Sequence, residues 1–165
     1  MRSGLPALYP RLWRFALMQA GDRQMASDLA QATCLRALEK ADGFTPGTRL
    51  DSWLFKMAHR LWLNEIRAQA VRRGGGLMPV ESLDLPDPAP TPETNIFTTE
   101  VLSFIYGLPE AQRAAVLLVY CDGYSYAEAA EILEVPIGTI MSRLSSARRK
   151  VADAMGKESM EQAHG

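Results

Sequence analysis

Cysteine, histidine and charge of one sign are all scarce in this chain of 165 residues: two cysteines, two histidines and a formal net charge of -1. Cys34 and Cys121 stand apart, with no CxxC pair and no Cys/His cluster, which excludes a disulfide scaffold and a zinc module. Both sit in apolar periodic stretches and are expected as reduced core residues. His59 has no second ligand at metal spacing, so neither a metal nor a cofactor is expected. Long apolar runs are missing too. The longest near the N-terminus is broken by Arg11 and Arg14, which excludes a signal-peptide core and a membrane helix. A soluble, cytoplasmic protein with no membrane insertion is expected. There is no P-loop, no GxSxG elbow and no framed carboxylate pair, so no enzyme is expected. At 47% hydrophobic and 22% charged, the composition is globular, and the length allows one ordinary domain or two small ones.

The near-zero charge hides a segregation. Residues 1–76 hold 12 basic and 6 acidic side chains, net +6. Residues 77–136 hold 1 basic and 10 acidic, net -9, and residues 137–165 hold 5 basic and 3 acidic, net +2. Basic segments flanking an acidic middle hint at nucleic-acid contact.

Helical spacing runs through most of the chain. From Leu5 to Ala20, Leu5, Leu8, Leu12 and Phe15 form an apolar stripe that Gly21 and Asp22 interrupt. A second helix is predicted over about 23–40, with Met25, Leu29, Ala32, Leu35 and Leu38 as candidate core, and a third over about 50–73. Gly74-Gly75-Gly76 stops the third. Residues 77–97 carry five prolines and four acids and read as a flexible linker, since proline at that density opposes helix. Further helices are predicted over about 98–106, 109–121, 125–133 and 137–155. The fold class is all-α, as two small helical domains, residues 1–76 and 98–165, joined by the linker.

The strongest local pattern lies at 123–150. A short amphipathic helix carrying Ala127, Ala130, Ile132 and Leu133 is joined by Glu134-Val135-Pro136 to a helix with Ile140, Leu144, Ala147 and Val151 at three-to-four spacing. Two helices on a tight turn make a helix-turn-helix, whose second helix can enter a major groove. Gly138 and Thr139 leave little bulk at its start, while Ser142, Arg143, Arg148 and Arg149 supply groups for bases and phosphates. A plain antiparallel helix pair with a solvated charged face is the competing reading. In the third helix, Trp53, His59 and Trp62 interleave with Lys56, Arg60, Arg67, Arg72 and Arg73. Rings among cations suit single-stranded DNA, and core packing of the tryptophans is the alternative. Asp28 and Gln31, three apart, share one helical face that either meets a partner or is simply solvated.

These residues carry a family resemblance. Asp28-Leu29-Ala30-Gln31-Ala32-Thr33-Cys34-Leu35-Arg36-Ala37-Leu38 resembles the polymerase-clamp-binding helix of sigma factors of the extracytoplasmic-function group, in the sigma-70 family. Phe44-Thr45-Pro46-Gly47-Thr48, followed by Trp53-Leu54-Phe55-Lys56-Met57-Ala58-His59, is similar to the element that recognises and melts minus-ten promoter DNA. Leu108-Pro109-Glu110-Ala111-Gln112-Arg113 and the helix-turn-helix are similar to the minus-thirty-five-binding domain. The FxPGT segment looks most like the alphaproteobacterial general-stress subgroup.

The resemblance implies a promoter-specificity subunit that binds core RNA polymerase and promoter DNA in a stress or envelope response, held inactive by an anti-sigma factor. It implies polymerase contacts at Asp28, Leu29, Gln31 and Thr33, and minus-ten contacts at Trp53, Lys56, His59, Arg60, Asn64 and Arg67. Minus-thirty-five contacts are implied at Thr139, Ser142, Arg143, Ser146, Arg148 and Arg149. The chain departs from the pattern at Arg60, where the family usually has Asn, at Glu134, often Gly, and at Met141 and Ser146, often basic. A stand-alone helix-turn-helix regulator is the alternative function. It would bind duplex DNA without polymerase, as a dimer on a two-fold site.

Overall fold

The computed structural model describes residues 1–74 and 92–164. Seven α-helices lie among them: α1 (Leu5–Ala20), α2 (Arg23–Glu39), α3 (Leu50–Arg72), α4 (Pro92–Gly107), α5 (Glu110–Val116), α6 (Tyr126–Leu133) and α7 (Ile137–His164). The described residues contain no strand and no helix long and apolar enough to cross a membrane. The chain divides into two compact units, Met1–Asn95 and Ile96–Gly165.

Local chemistry fixes the first unit's boundaries. Gly21 takes a left-handed φ of 70° and returns its N–H to Leu17 O at 2.7 Å, closing α1. The next residue opens α2: the Asp22 carboxylate accepts the Met25 N–H at 2.8 Å. One dipeptide thus stops a helix and starts another, which returns α2 against α1. Ala16, Ala26, Ala30, Ala37 and Ala58 are fully buried, and their small size lets the three helices approach closely. Larger side chains fill the spaces between: Leu12 and Phe15 from α1, Leu54, Phe55 and Trp62 from α3. Phe15 meets Phe55 edge to face, with centroids 5.0 Å apart, a favoured aromatic arrangement. Asp51, in the first turn of α3, pairs with Arg49 at 2.8 Å and with Arg11 of α1 at 3.5 Å.

Three expectations change here. In α2, Ala32, Leu35 and Leu38 are exposed; the buried stripe is Ala26, Leu29, Ala30, Thr33 and Ala37. Close helix contact selects small residues inward, so the larger leucines end outside. Cys121 is exposed and Cys34 half-buried, both as free thiols. The linker expected over 77–97 loses its last six residues to α4, which starts at Pro92. Proline is tolerated in a first helical turn because the N–H it lacks would have no partner there. The rest of that linker, with Pro79, Pro86, Pro88 and Pro90, lies outside the described residues.

In the second unit, α5 continues into a π-helical turn, Leu117–Cys121, closed by Asp122 N–H to Leu117 O at 2.9 Å. Ser125 caps α6 by accepting the Glu128 N–H at 3.1 Å, and the Glu128 carboxylate accepts the Ser125 N–H at 2.8 Å. Ile132, Leu133, Ile140, Leu144 and Ala147 pack α6 on α7. The turn between them runs through Glu134 at a left-handed φ of 57°. A side chain there costs about 1–2 kcal/mol, against which glycine loses about 0.5–1 kcal/mol in chain entropy. Glu134→Gly is therefore expected to stabilise this unit by about 0.5–1 kcal/mol, read as a raised midpoint in chemical denaturation; a lowered midpoint contradicts it. α7 runs past the expected end at 155, to His164.

Candidate functional sites

The exposed face of α2 is the first candidate. Asp28, Gln31, Ala32, Leu35 and Leu38 recur at three- and four-residue intervals and all lie on the surface. Leu35 is 60% and Leu38 39% exposed, an apolar patch flanked by polar groups, as protein interfaces are. Beside this stripe a groove of about 340 Å³ runs between α2 and α3, lined by Met25, Asp28, Leu29, Ala32, Leu61 and Trp62, with Glu65 and Gln69. Asp28 accepts a hydrogen bond from Gln24 Nε2 at 3.0 Å, one turn earlier, which orients the carboxylate. Two residues implied as polymerase contacts are placed differently. Leu29 forms part of the groove wall but is largely core. Thr33 is 0% exposed, and its Oγ1 donates to Leu29 O at 2.7 Å, so it shapes the helix from inside.

A second groove, about 410 Å³, lies on another part of the same two helices. It gathers Trp53, Lys56, Met57, Arg60, Leu61 and Asn64 of α3 with Arg36 of α2 and Lys40, the residue that closes α2. Sequence spacing does not place Arg36 and Lys40 here, because nothing within one helix shows which residues of another stand across a groove. Phe44, from the loop before α3, packs on Trp53 with ring centroids 5.3 Å apart and holds the indole at the groove wall. Four cations around a half-buried aromatic ring on the groove suit a nucleic-acid strand: the cations follow the backbone and the ring stacks on a base. His59 does not join them. It is 6% exposed, four residues after Phe55 and three before Trp62, on the inward face of α3. Trp62 is likewise core, so the packing reading holds for it; Trp53 is half-buried, packing against the cluster of Leu5, Ala37 and Leu54 while also lining the groove. Arg67 is exposed but does not line the groove.

The third candidate is α7. At about 100° per residue, Thr139, Ser142, Arg143, Ser146 and Arg149 fall on one stripe, opposite or beside the buried Ile140, Leu144 and Ala147. Arg149 Nη2 donates to Ser146 Oγ at 3.2 Å within that stripe. Arg148 stands on the other flank, where its Nη1 donates to Tyr120 Oη at 2.8 Å and Tyr126 Oη at 3.5 Å. These contacts with Arg148, and a hydrogen bond with Tyr120, draw the Tyr126 phenol below its ordinary range. Glu110 of α5 is pushed upward by burial, against the opposing pull of Arg113 and Arg143.

Known proteins match this chain across both units. The sigma-70 region 2 pattern matches residues 6–72, and the sigma-70 region 4 pattern matches residues 99–151. The chain is 34% identical over 157 residues to the ECF RNA polymerase sigma factor EcfG of Rhodopseudomonas palustris, covering 92% of this chain and 83% of that protein. It is 31% identical to the ECF RNA polymerase sigma factor SigE of Mycolicibacterium smegmatis, covering 93% of this chain and 60% of that one. Among solved structures, the sigma factor RpoE from Bartonella quintana, crystallised with the anti-sigma factor NepR, superposes with a TM-score of 0.79 at 28% identity. That match covers 94% of this chain and 96% of the RpoE chain.

Proposed function

The chain belongs to the sigma-70 family, in its extracytoplasmic-function group, and on that premise we propose how its surfaces divide the work. It binds core RNA polymerase and directs promoter-specific initiation of transcription. The exposed α2 stripe, with Asp28, Gln31, Leu35 and Leu38, docks on polymerase. The basic groove around Trp53 takes the melted strand: Lys56, Arg60, Asn64, Arg36 and Lys40 track the backbone while the indole stacks. Base stacking on an aromatic is worth about 1–3 kcal/mol, comparable to the few kcal/mol needed to extrude a base. The α7 stripe, Thr139, Ser142, Arg143, Ser146 and Arg149, reads the upstream duplex. RpoE was crystallised with an anti-sigma factor, and an anti-sigma protein of this chain would silence it by covering the α2 stripe. It works in the cytoplasm, where polymerase and chromosome are, and carries out no reaction of its own, RNA synthesis being polymerase chemistry.

The observation that carries this reading is the gathering of four cations and Trp53 from two helices on one exposed groove. Modest basic surfaces suffice, because docking on polymerase presents both DNA-reading modules at high effective concentration. The experiment is promoter occupancy by reconstituted holoenzyme. Arg143→Ala removes one group able to bond base edges, worth about 1–3 kcal/mol, so occupancy through the upstream element falls about fivefold to a hundredfold with core binding intact. Unchanged occupancy would show that α7 does not read that element.

A further inference from the structure

Arg148 departs from the rest of the second DNA-reading surface. It is the one implied upstream contact that lies off the α7 stripe, and its Nη1 faces two phenols, from residues 28 and 22 positions earlier in the chain. A guanidinium only donates, so both tyrosine oxygens accept, and the two hydrogens of Nη1 match two acceptors. The three side chains come from three elements. Tyr120 is on the π turn after α5, Tyr126 is the first residue of α6, and Arg148 is on α7.

The π turn has a consequence for this meeting. Such a turn advances each residue by less than the about 100° of an α-helix, so it shifts the phase of everything after its start. Tyr120 emerges 54% exposed, on the surface where α7 passes. The turn is pinned by Asp122 N–H to Leu117 O at 2.9 Å and Tyr124 N–H to Leu118 O at 3.0 Å, and Tyr124 is itself buried. The apolar contacts of Ile140, Leu144 and Ala147 set how close α7 lies but are non-directional. Hydrogen bonds are directional and can fix the roll of α7 about its axis, which decides where the stripe points.

We propose that Tyr120 and Tyr126 hold Arg148 as a brace that sets the roll of the recognition helix, making Arg148 a positioning residue and not a DNA contact. The proposal rests on the reading of the α7 stripe as the upstream-element reader. It predicts that losing an uncharged hydroxyl does the same harm as losing the arginine.

The test measures holoenzyme affinity for a promoter fragment with an intact or a scrambled upstream element, over a range of salt concentrations. Wild type is compared with Tyr120→Phe, Tyr126→Phe, Arg148→Ala, the Tyr120→Phe/Arg148→Ala double variant, and Arg143→Ala. Phenylalanine keeps the ring, so folding is preserved. Tyr120→Phe and Arg148→Ala should each shrink the preference for the intact element by about three- to tenfold, and the double variant by no more than the larger single effect. The slope of log affinity against log salt should stay unchanged in all three, whereas a lost phosphate contact would reduce it by about 0.9. The brace is overturned if Arg148→Ala lowers the slope by that amount while Tyr120→Phe behaves as wild type. It is also overturned if the variants weaken intact and scrambled elements equally, as general destabilisation would. If Arg143→Ala changes nothing, the α7 reading fails and the brace with it; if Arg143→Ala acts and the tyrosine variants do not, only the brace fails.

Discussion

Phe55→Ala should destabilise the first unit by about 3–5 kcal/mol, a large fraction of the about 5–15 kcal/mol that holds a typical domain together. Phe55 is almost fully buried, meets Phe15 edge to face, and has the Arg11 guanidinium 5.5 Å above its ring. Truncation removes the apolar area, the aromatic pair and one of the cation's contacts at once, at the point where α1 and α3 meet. All three tryptophans, Trp13, Trp53 and Trp62, lie in this unit, so their fluorescence reports its unfolding alone. The fluorescence midpoint in denaturant should fall sharply, and polymerase binding and minus-ten recognition should be lost with it. An unchanged midpoint would mean that α1 and α3 are not joined through this pair.

The second large effect concerns polymerase. Asp28→Ala combined with Gln31→Ala should weaken core-enzyme binding about ten- to a hundredfold, or about 1.4–2.7 kcal/mol. Both residues are exposed, and Asp28 is tied only within its own helix, to Gln24, so folding should be unaffected. Equilibrium competition against the unaltered protein for a limiting amount of core polymerase gives the ratio directly. Equal competition would remove the α2 stripe from the polymerase interface. Thr33 offers a contrast: its buried hydroxyl caps a carbonyl inside α2, so a change there acts through helix packing.

Much of the fold was legible because its signals are local. Gly21-Asp22 marks the α1–α2 junction through a left-handed stop and a side-chain cap, and Ser125 with Glu128 marks the start of α6. Pro92 was misread because the same residue that opposes helix interiors is at ease in a first turn. The phase of α2 was misjudged because size and hydrophobicity favoured Leu35 and Leu38 as core, while a close three-helix junction selects alanine. That error concealed the most partner-like surface of the first unit. Within the sites, Trp53, Lys56, Arg60 and Asn64 converge as one helix face predicts, but His59 turns inward, since its register follows Phe55 and Trp62. Arg36 and Lys40 joining the groove, and Tyr120 and Tyr126 meeting Arg148, are tertiary facts: each depends on how separate helices lie together. The π turn at Leu117–Cys121 has no signature in apolar spacing, and it sets the place of Tyr120.

Under the proposed function, two weak DNA-reading surfaces act together once the α2 stripe is docked on polymerase. Run-off transcription with purified core polymerase, this protein and a genomic promoter library tests this most directly. Transcripts should appear only when the protein is added and should start downstream of a shared two-part motif. The proposed function would be contradicted by core polymerase initiating no more from any promoter with the protein than without it, or by tight binding of the protein alone to a palindromic duplex.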